Sequence, residues 1–383
     1  MKILIIPMFA LSRMNGPWSR AQKIARAFLS AGHEVILGTA ADGNCVNPVT
    51  PSTLELPVPA PLGAPMAIAS RTFPLANKLG IAGRKPVSSY EEVLWLTGAL
   101  AYRYEKDSVQ AIRDLLRTEQ PDVVYSEFSL PAIIAAEAEG IPRVGTASFP
   151  TQTSYACAAE KAGGVRRILD ELGLPGVSSS LELFERMDTR FVPSCPTLEP
   201  FTSENVVFCG FLGQAPECPD AQRDAIVIYL GTGSVSPKAL RETARGLAAR
   251  TERDVYLAGV GEPTSDQGNL HIAERFNFSA LLPRACAFVH HGGQNSTMDA
   301  LAYGAPQIIF PGKVFERQYN AKSIAAAHAG IELGEFSANA LAVAVERITS
   351  DDSLAQGARE LRSALTSLGG AQTIISEVEK LLS

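Results

Sequence analysis

The residues best suited to chemistry lie between Phe288 and Pro306. The run begins Phe288-Val289-His290-His291-Gly292-Gly293-Gln294-Asn295-Ser296-Thr297-Met298-Asp299 and reads as a strand, a glycine turn and a helix start. Gly292 and Gly293 let the backbone approach a ligand closely and take positive φ. Asn295, Ser296 and Thr297 fall near the helix N-terminus, where free N–H groups and the helix dipole favour an anion. His291 adds a ring N–H that becomes charged readily beside a phosphate. Asp299, one turn further on, is placed to accept from sugar hydroxyls. A helix cap without a ligand does not require two glycines, a histidine and three hydrogen-bonding side chains together.

Such a turn needs a strand behind it and a helix after it, and the chain has that rhythm throughout. Lys2–Met8 reads as a strand, followed by a Gly/Pro loop and a helical stripe at Trp18, Ala21, Ala25, Phe28 and Leu29. Gly32 ends it, and Glu34–Leu37 reads as the next strand, making a βαβ unit with parallel strands. Residues 43–89 are rich in Pro, Gly and Ser and read as long loops, a common site of function. Val123–Tyr125 and Arg143–Gly145 are further buried strands, with a short helix over 131–139 between them. Prolines at 193, 196, 200, 216 and 219 mark a linker over 193–219. The rhythm restarts with strands at Ala225–Leu230, Asp254–Ala258, Ala287–His290 and Gln307–Phe310, and helices to the end of the sequence.

The composition agrees with this organisation. A chain of 383 residues is expected to hold about two domains. Hydrophobic residues make up 46% and charged residues 19%, which excludes a disordered polymer. A net charge of −6 argues against a nucleic-acid binder. None of the 6 cysteines forms a C-x-x-C, so reduced thiols are expected rather than disulfides or structural zinc. No apolar run reaches the roughly 18–20 residues of a membrane span. The apolar stretch from Ile3 to Leu11 reads as a buried strand in preference to a signal peptide. A cytoplasmic location is expected.

The 288–306 run resembles the nucleotide-sugar signature of the UDP-glycosyltransferase family, inverting glycosyltransferases of the GT-B fold. The likeness continues through Pro311 and Glu316-Arg317-Gln318-Tyr319-Asn320-Ala321, and through Leu281-Leu282-Pro283-Arg284 before the strand. In the first half it covers Ala31-Gly32-His33-Glu34-Val35 and Pro121-Asp122-Val123-Val124. The resemblance implies an α/β chain of two doubly wound Rossmann-like domains facing a cleft. Residues 1–200 would bind the acceptor and 201–370 the sugar donor, with a helix over 371–383 crossing back to the first domain. It implies that His291, Gly293, Asn295 and Ser296 hold a diphosphate and Asp299 the ribose. The Gly231-Thr232-Gly233-Ser234 turn is similar to a second phosphate loop, with Thr232 as its contact. Phe278 falls where the family stacks the base, although a core phenylalanine explains it equally well.

Two departures from the family pattern bear on the chemistry. The histidine base of the family's first loop falls at Pro17, which cannot take a proton. The acid that would orient it falls at Glu127, directly after a strand. Glu127 is therefore a candidate base, an ion-paired strand-end carboxylate being the plainer alternative. An acceptor that arrives already ionised would need no base. The family's sugar-contacting Asp-Gln becomes Glu316-Arg317. Glu316 would accept from sugar hydroxyls and Arg317 would hold a carboxylate, unless the two form an ordinary surface ion pair. The sequence contains no D-x-D, so neither metal nor other cofactor is expected. The activity expected is inverting transfer of a sugar from a UDP- or dTDP-sugar to a small-molecule or lipid acceptor, which leaves room for a peripheral membrane contact. The alternatives are a donor-binding partner protein without catalysis and a nucleotide-sugar epimerase. Trp18, Phe73, Trp95 and Phe149 are candidate acceptor-facing aromatics.

Overall fold

A computed structural model of the chain describes all residues except 12–14, 42, 44, 65–85, 216–222, 232–234 and 262. Two seven-stranded sheets organise the described residues. In the first, β1 (Lys2–Pro7), β2 (Glu34–Ala40), β3 (Thr53–Leu56), β4 (Val123–Glu127), β5 (Arg143–Thr146), β6 (Thr189–Val192) and β7 (Val206–Phe208) run in the order 3-2-1-4-5-6-7. Every pair is parallel. Strands covered on both faces read as continuous apolar runs, and Ile3, Leu4, Ile5 and Ile6 are indeed fully buried.

The second sheet holds β8 (Ala225–Tyr229), β9 (Asp254–Ala258), β10 (Ser265–Gln267), β11 (Leu270–Ala273), β12 (Ala285–His290), β13 (Gln307–Ile309) and β14 (Gly330–Glu332). Its order is 10-11-9-8-12-13-14, parallel except for the β10–β11 hairpin. The strand order reverses between β1 and β4 in the first sheet and between β8 and β12 in the second. A crevice opens at the carboxyl ends of the strands at each such switch point, where ligands of open α/β sheets bind.

Helix α1 (Asn15–Ser30) follows β1 and turns Trp18, Ala21, Ala25 and Phe28 inward at helical spacing. Trp18 is thus a core residue and does not face an acceptor. The helix ends at Gly32, whose φ of 85° places it in the left-handed region that stops a helix without strain. The final helix, Ala371–Leu382, packs on the same core through Ile374, Ile375 and Val378. Each such buried aliphatic side chain contributes roughly 1.5–3 kcal/mol. His33 meets Glu379 of this helix at 3.2 Å, so the one histidine of the first half lies at the opposite end of the sheet from the crevice.

Short strands escaped the sequence reading. Val206–Phe208 lies inside the stretch read as a linker, yet it pairs with β6 and completes the first sheet. The division expected at 200/201 therefore moves past Phe208, and the second sheet begins at Ala225. Thr53–Leu56 similarly sits within the stretch read as loop. Three or four residues carry too little periodicity to be recognised alone. Phe73 lies outside the described residues. No described helix is long and apolar enough to cross a membrane.

Gly145 on β5 tests how tightly the first sheet is packed. A Cβ there would overlap the Ser126 carbonyl oxygen and lie 2.7 Å from Met187 Sδ. Gly145→Ala is expected to lower stability by about 1–3 kcal/mol, since backbone on a central strand cannot move aside. Urea unfolding measures this, and a variant as stable as wild type would refute the packing argument.

Candidate active site

The crevice of the second sheet is built from the turns after β8 and β12. Gly231, the first residue after Leu230, takes φ 58°, and a Cβ on it would sit 3.3 Å from His291 Nε2. The imidazole therefore lies directly against this turn. Thr232, expected beside it, falls outside the described residues. The Gly293 N–H donates to His291 Nδ1 at 2.7 Å. An Nδ1 that accepts must leave the proton of a neutral ring on Nε2, so His291 presents an Nε2–H toward the crevice. Burial, then the positive charge of Arg317, then His290 hold the ring well below its ordinary pKa. The free protein thus carries His291 neutral.

Gly292 takes φ 82°, and a Cβ on it would meet the Arg317 carbonyl oxygen and Ile309 Cγ2 at 2.9 Å. Asn320 donates from Nδ2 to the Gly292 carbonyl at 2.8 Å and pins the turn. Behind it, fully buried His290 shares a 2.9 Å hydrogen bond with Gln307. The helix Gln294–Ala302 then starts with Gly293 as its N-cap, which has no side chain to cap it, and the Glu316 carboxyl accepts from the Gln294 N–H. The other N–H groups of the first turn and the dipole are left for an anion.

The face of that helix carrying Asn295 and Asp299 turns toward α1 of the first domain. Arg20 Nη1 donates to Asn295 Oδ1 at 2.9 Å. Asp299 feels the charge of Lys23, while burial raises its carboxyl above the ordinary range. Arg20, Lys23, Gln294, Asn295, Met298 and Asp299 line a narrow crevice between the domains. Ser296 is half-buried on the first turn of the helix. Phe278 is half-buried, with its ring 5.5 Å from Tyr229 and 5.8 Å from Phe288, beside the end of β8.

Glu316 and Arg317 occupy the first turn of the helix Phe315–Ala326 and are partly buried. Burial raises the Glu316 carboxyl, which faces the charges of Arg20 and Arg317 and accepts from the Gln294 backbone. Burial lowers the Arg317 guanidinium against the charge of Glu316. Val87 pairs with Val314 just before this helix, so a first-domain segment is stitched to the second at the site.

Glu127 ends β4, at the crevice of the first sheet, and is fully buried. Arg20 Nε donates to its Oε1 at 2.7 Å, and the Thr146 hydroxyl donates to its Oε2. Tyr125 OH lies 2.9 Å from Thr146 Oγ1 in turn. Burial pushes the carboxyl upward against the pull of Arg20 and Thr146. Both oxygens are engaged and the side chain is buried, so in this structure Glu127 stands as the counter-ion of Arg20. Phe128 follows at φ 62°, rare for a bulky side chain, and lies 5.4 Å from the Arg20 guanidinium. Tyr90, buried nearby, donates to Met8 Sδ at 3.1 Å and stays a neutral phenol because burial raises it well above its ordinary value.

The sequence reading missed Arg20, Lys23, Tyr90 and Glu199. Arg20 alone had a local signal, standing three residues after Pro17 on the first turns of α1. Of the aromatics expected at an acceptor, Trp95 lines a cavity of about 440 Å³ with Leu62, Leu100, Tyr102 and Lys161. Phe149 instead stacks on Tyr319 at 5.7 Å, in the junction between the domains.

Two switch-point crevices thus face each other and are bridged by side chains of α1. Comparison with known proteins gives the same architecture and adds an activity. Residues 263–381 match the family described as Erythromycin biosynthesis protein CIII-like, C-terminal domain. The chain is 23% identical over 298 residues to the NDP-glycosyltransferase YjiC of Bacillus subtilis (strain 168), covering 71% of this chain and 75% of that protein. The chain has the GT-B fold and is a glycosyltransferase. A shorter match, 27% over 172 residues, links this glycosyltransferase to the demethyllactenocin mycarosyltransferase of Streptomyces fradiae, covering 43% of this chain and 37% of that protein. The solved spinosyn rhamnosyltransferase SpnG, complexed with thymidine diphosphate, superposes with a TM-score of 0.74 at 17% identity, covering 99% of this chain and 100% of that one.

Proposed function

We propose that this glycosyltransferase moves a sugar, with inversion and without a metal ion, from a dTDP- or UDP-sugar to a small-molecule acceptor that reacts as an anion. The observation that carries the reading is the convergence of the His291 Nε2–H and the start of the Gln294–Ala302 helix on one crevice, with the Arg20 cation at its edge. As the bond from the sugar C1 to the diphosphate oxygen breaks, its electron pair stays on the diphosphate. Groups fixed where that charge develops lower the barrier without reorganising. The thymidine diphosphate held by the spinosyn enzyme supports a dTDP-sugar as donor.

In this reading His291, Gly293, Asn295 and Ser296 hold the diphosphate, and Thr232 adds a further contact. Asp299 takes the ribose and Phe278 the base. Glu316 and Arg317 face the sugar at the junction. The acceptor enters from the first domain, opposite the leaving group, which gives inversion. Pro17 replaces the usual base, and Glu127 is tied to Arg20 and Thr146. An acceptor oxygen that is already ionised, as in an acidic phenol or a carboxylate, attacks C1 and releases no proton.

Thermal melting with thymidine diphosphate and uridine diphosphate tests the donor, since a ligand at a hundred times its Kd stabilises by about 2.7 kcal/mol. Product analysis with phenols of graded acidity tests the acceptor. We expect a clear rise with at least one nucleotide, and turnover that rises with pH until the phenol is ionised. No shift at millimolar nucleotide would sink the donor assignment. Tight nucleotide binding with no product from any acceptor would favour a donor-binding protein without turnover.

A further inference from the structure

We propose that Arg20 is a positioning residue for the sugar donor: it fixes the Asn295 amide so that Nδ2 faces the diphosphate. The inference rests on Asn295 being a phosphate contact, as read above. An arginine side chain has donors only, so the Asn295 atom 2.9 Å from Nη1 must be Oδ1. A primary amide is planar, and holding Oδ1 fixes the direction of Nδ2. That nitrogen lies 3.9 Å from where a Cβ on Gly16 would be, as does Arg20 Nη1, so both face the space left open by a residue without a side chain.

Arg20 is itself immobilised. Its guanidinium is held by Glu127 at 2.7 Å and lies over the Phe128 ring at 5.4 Å, and only 7% of the residue is exposed. A line of fixed contacts thus runs from the end of β4 through Glu127 and Arg20 to Asn295, from one domain to the other. Without Arg20, either end of the Asn295 amide can turn toward the ligand. With Oδ1 outward, a lone pair would oppose a phosphate oxygen.

A double-mutant cycle read by calorimetric titration with thymidine diphosphate tests this. Arg20→Met and Asn295→Ala are each expected to weaken binding about tenfold. The double variant should bind about as Asn295→Ala does, because Arg20 acts through that amide. Removing Arg20 alone leaves Glu127 buried without its counter-ion, so Arg20→Met/Glu127→Met is made as well. It should keep a melting temperature near wild type without ligand and still bind about tenfold more weakly. Losses that multiply to about a hundredfold, or a Met/Met pair that binds within twofold of wild type, would overturn the proposal. Asn295→Ala binding as tightly as wild type would overturn it too, while leaving the donor assignment intact. A wild-type protein that binds neither thymidine nor uridine diphosphate would remove both.

Discussion

Gly293→Ala is expected to lower kcat/KM for the sugar donor about a hundredfold while leaving the fold nearly as stable as wild type. Gly293 has φ −65° and ψ 144°, which alanine adopts without strain. Its backbone therefore does not resist the change. The added Cβ would instead overlap His291 Cε1 and lie 3.0 Å from Nδ1. The imidazole has to swing away, losing the 2.7 Å bond from the Gly293 N–H and withdrawing its Nε2–H from the crevice. Loss of one fixed hydrogen-bond donor to a developing oxyanion costs about 10²–10³ in rate. Steady-state kinetics on Gly293→Ala, His291→Ala and their combination measure this. The combination should be no slower than His291→Ala, because both act on one ring. Activity of Gly293→Ala within threefold of wild type would show that His291 does not assist departure of the diphosphate.

The second large effect is a pH dependence that only a variant reveals. Glu199 sits at the domain junction with 2% of its surface exposed, accepting from the Phe149 N–H at 2.6 Å and from Gln294 Nε2 at 3.3 Å. Burial raises its carboxyl from 4.5 to about 7. Between those values the folded protein keeps a proton that the unfolded chain has lost. Its contribution to stability is therefore complete below about pH 4.5 and lost as pH rises through about 7, a change of about 3 kcal/mol. His290 works the other way. Burial lowers its ring from 6.5 to about 4, so its contribution is complete above pH 6.5 and lost as pH falls through 4, again by about 3 kcal/mol.

In wild type the two slopes oppose each other over the shared window, and a shallow profile is expected there. Glu199→Gln removes one of them. Relative to wild type, the variant should gain about 3 kcal/mol on going from pH 4.5 to pH 8. Urea unfolding at four pH values reads the difference directly. A stability difference that stays constant across the series would mean that Glu199 does not hold its proton in the folded state.

Much of the frame was legible because burial writes itself into composition. Strands covered on both faces must be apolar throughout, and Ile3–Ile6 and Val123–Val124 show it. The α1 stripe was equally plain. The strand, glycine turn and helix start at 288–299 were readable because each needs particular residue types at fixed offsets. The strand at Val206–Phe208 was not, since an edge of three residues has no period to detect. Nor was the engagement of Glu127, whose partners Arg20 and Thr146 are 107 and 19 residues away in the chain.

From its order of residue types alone, this chain determined two α/β halves and a strand, glycine turn and helix start around His291 of the kind suited to an anion; the resemblance to a family added that proline stands at 17 where a base is usual. Those features are local, because φ preference, helix polarity and hydrophobic period act over a few residues. Folding decided which proton His291 keeps, which atom of Asn295 meets Arg20, and that Glu127 pairs with Arg20. Protonation and hydrogen-bond direction follow from burial and from partners up to 275 residues distant, and only the packed domains bring those within 3 Å.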